Sequence, residues 1–158
     1  MMMEKITDTV SDSGLLIATF LLDNALFGID TNQIQEVVQI KKLTPVHNAP
    51  SYVKGVMNLR GRVVTVIDLG EKLNLQPVFE SDENRVLIVE WNQEFVGILV
   101  ERVNEVVQLE RDSIKHPPGN IHGIQAEFIT GVFINRDGVA AGLLDCGKIL
   151  HIEENQKQ

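Results

Sequence analysis

The tetrapeptide Glu36-Val37-Val38-Gln39 recurs residue for residue as Glu105-Val106-Val107-Gln108, 69 positions later. The same offset relates Gly28-Ile29 to Gly97-Ile98, and it aligns Ile34 with Val103 and Gln35 with Asn104. Further along, Gly55-Val56 and Arg60 meet Gly131-Val132 and Arg136 at an offset of 76. One extra residue then brings Gly61, Asp68 and Leu73 onto Gly138, Asp145 and Leu150 at an offset of 77. Anchors in one order over most of a 158-residue chain describe two copies of one small unit. Neither copy is long enough for a broad sandwich, whereas a small closed or partly closed barrel removes exposed sheet edges. Two such units side by side leave a groove between them, and concave apolar grooves suit binding.

The local signals are mostly β. Leu15 to Leu22 is rich in aliphatics, and Asp23-Asn24 turns the chain into Ala25-Leu26-Phe27-Gly28-Ile29. Val63-Val64-Thr65-Val66-Ile67 is a β-branched run of the kind buried on both faces. Val86 to Trp91, Phe95 to Val100 and Val103 to Leu109 read as further strands. Asp137-Gly138 is a hairpin turn joining Phe128 to Asn135 with Val139 to Leu144. Short helices are expected at Thr31 to Glu36, Asp68 to Leu73 and Asp145 to Leu150. Gln76 to Asn84, with Pro77 and several carboxylates, reads as a linker. The expected organisation is one barrel over about 30–84 and another from 14–29 plus 85–152, with strand exchange left open. Residues 1–13 and 153–158 are polar tails.

Charge narrows the function. Lys plus Arg number 14 against 22 Asp plus Glu, a net charge of −8, which disfavours nucleic-acid backbones and anionic membrane surfaces. Aromatic content of 5 % is also low for stacking on bases. The N-terminal Met1-Met2-Met3-Glu4-Lys5 leads into polar residues rather than a signal peptide, and no apolar run approaches a membrane span. A cytoplasmic location is expected. Cys146 is the single cysteine, so intramolecular disulfides and thiolate metal clusters are excluded. A small buried hydrophobe is its expected role. His47, His116, His122 and His151 lack zinc-type spacing, and there is no GxGxxG or GxxxxGK[ST] phosphate cradle. The acidic run from Glu80 to Glu83 reads as solvated linker. No catalytic set, cofactor or metal site emerges.

Gly55-Val56-Met57-Asn58-Leu59-Arg60-Gly61 stands apart, because it sets one cation between apolar strands with glycine on both flanks. Arg60 reads equally well as an exposed turn residue or as an interaction anchor whose planar fork bonds carboxylates and carbonyls. Glu36, on the expected short helix, either faces solvent or ion-pairs with a basic group such as Arg60.

At these positions the sequence resembles the CheW-like domain family of bacterial chemosensory arrays. The matching segments are Phe27 to Asp30 with Ile34 to Val37, Tyr52 to Gly61, and Val66 to Leu69. Val96 to Val100 with Val103 to Leu109, and Phe128 to Val132, continue the match over roughly residues 14–152. The resemblance implies a mostly β fold of two pseudo-symmetric five-stranded SH3-like barrels with short helices. It implies a non-catalytic adaptor that joins chemoreceptor cytoplasmic tips to the regulatory domain of the histidine kinase CheA, at receptor arrays on the inner membrane. Direct membrane insertion and nucleic acid are not implied. It places Arg60, Glu36, Ile34, Val37, Gly55, Asn58 and Gly61 where family members meet partners. Thr65 and Gly70 depart from the family pattern, which often has Pro and a larger basic residue there, and this bears on partner specificity. The alternatives are a small-ligand or oligonucleotide-binding barrel, or the coupling protein of a pilus-type array.

Overall fold

The computed structural model describes residues 14–117 and 126–150. Its strands are β1 (Gly14–Leu22), β2 (Ala25–Asp30), β3 (Ile34–Val38), β4 (Val53–Leu59) and β5 (Arg62–Asp68). They continue as β6 (Arg85–Trp91), β7 (Glu94–Val100), β8 (Arg102–Glu110), β9 (Ile129–Ile134) and β10 (Ala140–Leu144). Two helices of about one turn, α1 (Leu69–Lys72) and α2 (Cys146–Leu150), follow β5 and β10. Each copy of the repeat thus contributes five strands and a short helix in the same order.

Equivalent turns open the two copies. Asp23 and Asn24 have φ of 49° and 64°, and Asn92 and Gln93 have 53° and 67°. Two successive left-handed residues form the turn whose twist matches that of the flanking strands. Asp and Asn tolerate it through local side-chain hydrogen bonding.

The sheets exchange strands reciprocally. One runs β8-β1-β2-β10-β9 and the other β3-β6-β7-β5-β4. Each sheet therefore takes the opening hairpin of one copy and the three later strands of the other. β5 pairs in parallel with β7, from Thr65 opposite Val96 to Asp68 opposite Leu99. β10 pairs likewise with β2. This corrects the expected grouping of residues 85–100 with 14–29, because β6 and β7 find their partners in β3 and β5. The chain leaving edge strand β3 returns at Thr44 to pair with Val56 on the opposite edge. Lys115 makes the equivalent bridge to Val132 in the other sheet.

Alternate residues of one strand serve different cores. Val86 and Ile88 of β6 pack with Met57, Leu59, Val64, Val66 and Leu99 within one sheet's own curvature. Leu87 and Val89 turn to a larger cluster that includes Phe20, Phe27, Ile29, Ile67, Ile98, Leu144 and Ile149. That cluster draws on both sheets and both helices, so it fills the space where the repeat suggested an open groove. Ile17, Leu26, Val107, Leu109 and Phe133 line the third core, in the other sheet. Val63 is 68 % exposed, so β5 is not buried on both faces throughout; Val64, Val66 and Ile67 are.

The two helices occur where capping residues anticipated them. Asp68 is fully buried, and its carboxylate accepts from the Glu71 and Val78 amides, which ties Gln76 to Asn84 down rather than leaving it loose. Asn84 extends the tie by donating to the carbonyls of Phe79 and Glu101. Gly70 has a matching steric reason. A Cβ there would lie 2.2 Å from the Gln76 carbonyl oxygen. Alanine usually stabilises a helix by about 1 kcal/mol over glycine. Here Gly70→Ala is expected to destabilise by about 1–3 kcal/mol, because backbone must move. Denaturant titration reads the sign directly.

Cys146 is buried. Burial first, and the Asp145 carboxylate second, push its thiol from 9.0 up to about 12. The folded state holds that proton more tightly than the unfolded chain. Its contribution is whole below pH 9.0 and is lost as pH rises toward 12. A thiol reagent at about pH 8 should leave the native protein unmodified and label it in denaturant, since the thiolate is the reactive form. Rapid native labelling would show the thiol to be accessible.

Candidate partner-binding site

The β4–β5 hairpin closes on Arg60 and Gly61, with φ of 52° and 85°. The Asn58 side-chain oxygen accepts from the Gly61 amide at 3.0 Å, and nothing lies within 4 Å of where a Gly61 Cβ would be. Gly61 is therefore needed for its backbone angle and not for space. Arginine gains nothing from the left-handed region, which costs a non-glycine residue about 1–2 kcal/mol. Strain of this kind concentrates where a side chain is needed for another purpose.

That side chain reaches Glu36. The Arg60 guanidinium hydrogen-bonds the Glu36 carboxylate in a salt bridge, with Arg60 68 % and Glu36 34 % exposed. At that exposure the pair is worth roughly 0.2–1 kcal/mol to folding. Glu36 sits on β3 and not on the short helix expected over Thr31 to Glu36. Only Thr31–Gln33 form a 3-10 turn, capped by Asp30, after which the Ile34-Gln35-Glu36-Val37-Val38 run pairs with β6. Because β3 and β4 are opposite edges of their sheet, the ion pair spans the sheet's two margins.

Beneath the pair lies a concavity of about 440 Å³. Its floor is the buried Leu59, Val64 and Ile88, and its rim carries Glu36, Arg60, Arg62 and Phe95. The Arg62 guanidinium lies over the Phe95 ring, 4.4 Å from its centre. Two guanidiniums and one carboxylate line it, a positive spot on a chain of net charge −8.

The residues singled out in the sequence divide. Arg60, Glu36, Asn58 and Gly61 come together. Val37, 45 % exposed, is next to Glu36 on β3. Ile34 packs against the large core. Gly55 lies apart, with φ of 146° and a Cβ position 2.6 Å from the Thr44 carbonyl oxygen, so it permits the β4 edge bridge. The repeat conserves the residues of the ion pair but not the pair itself. The Glu105 backbone instead engages the Thr19 hydroxyl, accepting at 2.5 Å and donating at 3.0 Å. Arg62 and Phe95 were not legible as a pair, since only the parallel β5–β7 pairing brings them together. Thr65 lies within that pairing, opposite both Val56 and Val96.

His47 and His116 are exposed loop residues, and His122 and His151 lie outside the described residues. Among the described residues, no cluster of three His, Cys, Asp or Glu could hold a metal ion, and no helix is long and apolar enough to cross a membrane.

The profile of the CheW-like domain matches residues 17–154. The chain is 31 % identical over 153 residues to a chemotaxis protein CheW of Treponema pallidum, covering 94 % of this chain and 89 % of that protein. It is 33 % identical over 135 residues to a chemotaxis protein CheW of Klebsiella aerogenes, covering 85 % and 81 %. The crystal structure of the scaffolding protein TtCheW from Thermoanaerobacter tengcongensis superposes with a TM-score of 0.79 at 28 % identity, covering 87 % of this chain and 88 % of that one.

Proposed function

The chain belongs to the CheW-like domain family of non-catalytic scaffold proteins in chemotaxis, and from that premise we propose that it couples chemoreceptor cytoplasmic tips to the regulatory domain of a CheA-type histidine kinase. Coupling of this kind needs no chemistry. One surface holds the receptor, another holds the kinase, and simultaneous binding lets receptor conformation bias the kinase equilibrium. Its place of work is the receptor array at the inner membrane.

The observation that carries the reading is the Arg60–Glu36 pair on a left-handed turn. An exposed guanidinium kept at a backbone cost, beside apolar surface, is the composition of an interaction anchor. Asn58 and Gly61 hold the turn, and Val37 extends the surface along β3. The test is autophosphorylation of the cognate kinase with its receptor tip, with and without this protein. Receptor-dependent activation that requires the protein supports coupling. No activation, together with no binding to either partner, refutes it.

A further inference from the structure

We propose that Arg62, seated on Phe95, is a second anion contact of the concavity and takes an Asp or Glu carboxylate from the kinase regulatory domain. This rests on the coupling function proposed above. Arg60 already shares one guanidinium nitrogen with Glu36. Arg62 is in the opposite condition. Among the described residues its guanidinium meets no carboxylate, and the Phe95 ring at 4.4 Å is the contact that fixes it. Stacking on an aromatic face restrains the flexible side chain while leaving its in-plane N–H donors open, which is the arrangement that suits bidentate carboxylate recognition.

The concavity supplies the other half of the match. Its exposed walls are mostly polar, over the buried Leu59, Val64 and Ile88, and about 440 Å³ suits one or two side chains rather than a helix face. The occupant is therefore a loop or hairpin of the partner that presents a carboxylate into the polar walls. Charge favours that choice, since the rim carries two cations against one anion on an otherwise acidic protein. It also gives the partner a register, because the carboxylate is repelled by Glu36 and drawn to the Arg62 side.

The experiment is calorimetric titration of the cognate kinase regulatory domain into the full chain, in low and high salt. Arg62→Glu should weaken binding about tenfold or more. Arg62→Lys and Phe95→Leu should each weaken it by a few-fold, since one keeps the charge without the fork and the other keeps the bulk without the ring. Wild-type affinity should fall with salt more steeply than that of Arg62→Glu. Arg102→Glu, an exposed reversal on β8 in the other sheet, controls for net charge and should bind as wild type. Unchanged melting temperatures exclude misfolding. Arg62→Glu binding within about twofold of wild type would overturn the proposal, as would an equal loss in Arg102→Glu. A loss confined to receptor-tip binding would overturn the kinase as occupant. If wild type binds neither partner, the coupling function itself fails, and the proposal falls with it.

Discussion

Arg60→Glu is expected to lower receptor-dependent kinase activation by about tenfold while moving the melting temperature by only a few degrees. The two readouts separate because the residue sits where folding asks little of it. Arg60 is 68 % exposed, and its ion pair with Glu36 adds at most about 1 kcal/mol. Reversal removes that and sets two carboxylates against each other in solvent, a repulsion that salt screens. The backbone angle is no worse for glutamate than for arginine. Arg60→Gly sharpens the contrast. It relieves a left-handed residue worth about 1–2 kcal/mol, so stability should hold or rise while coupling is still lost. Unaltered kinase activation by either variant would remove Arg60 from the interface. A large fall in melting temperature would assign it to the fold instead.

The fold was legible largely because its information is local or repeated. Asp23-Asn24, Asp137-Gly138, the capping carboxylates Asp68 and Asp145 and the alternating aliphatics all lie within a few residues of the structure they specify. Asn135, for instance, closes its hairpin by accepting from the amides of Asp137 and Val139. The repeat likewise showed that there are two units. It could not show that each sheet borrows the other copy's opening hairpin. Equivalent strands carry equivalent edges, so β7 could pair with β5 or with β10 by pattern alone. The observed pairing is tight at Gly97, where a Cβ would meet Val86, Val64 and Val66 at 2.5–3.3 Å, and only the folded structure shows that fit. The same ambiguity hid Glu36. Thr31-Asn32-Gln33 carries a capping signal, yet β-branched residues and a waiting β6 edge end the turn after three residues.

The site was legible only in part, for a related reason. Arg60 with Gly61 and Asn58 is one hairpin and could be found by reading along the chain. Its pairing with Glu36 could be named only as one possibility, since the chain has 14 Lys and Arg that a carboxylate could meet. Arg62 and Phe95 belong to strands joined by a parallel crossover, and no local pattern links them. Gly55 lies in the same hexapeptide as Arg60, and alternation along β4 and the Thr44 bridge give it a structural task of its own.

Phe27→Ala should cost about 3–5 kcal/mol, a large part of the roughly 5–15 kcal/mol that holds a domain together. Phe27 is 1 % exposed, lies directly opposite Phe20 across the β1–β2 ladder, and stacks with it at 6.5 Å between ring centres. Both belong to the cluster that also contains Leu87 and Ile98 of the other sheet. A cavity there weakens the shared core and not one sheet alone. Gly142 already allows the ring its room, with a Cβ position only 3.3 Å away. Denaturant unfolding of Phe27→Ala should therefore remain a single transition at a much lower midpoint. Val63→Ala, at a position 68 % exposed, should change stability by no more than about 0.5 kcal/mol. Two resolved transitions in Phe27→Ala would mean that the sheets are held by separate cores, and that the cluster between them contributes little to their joint stability.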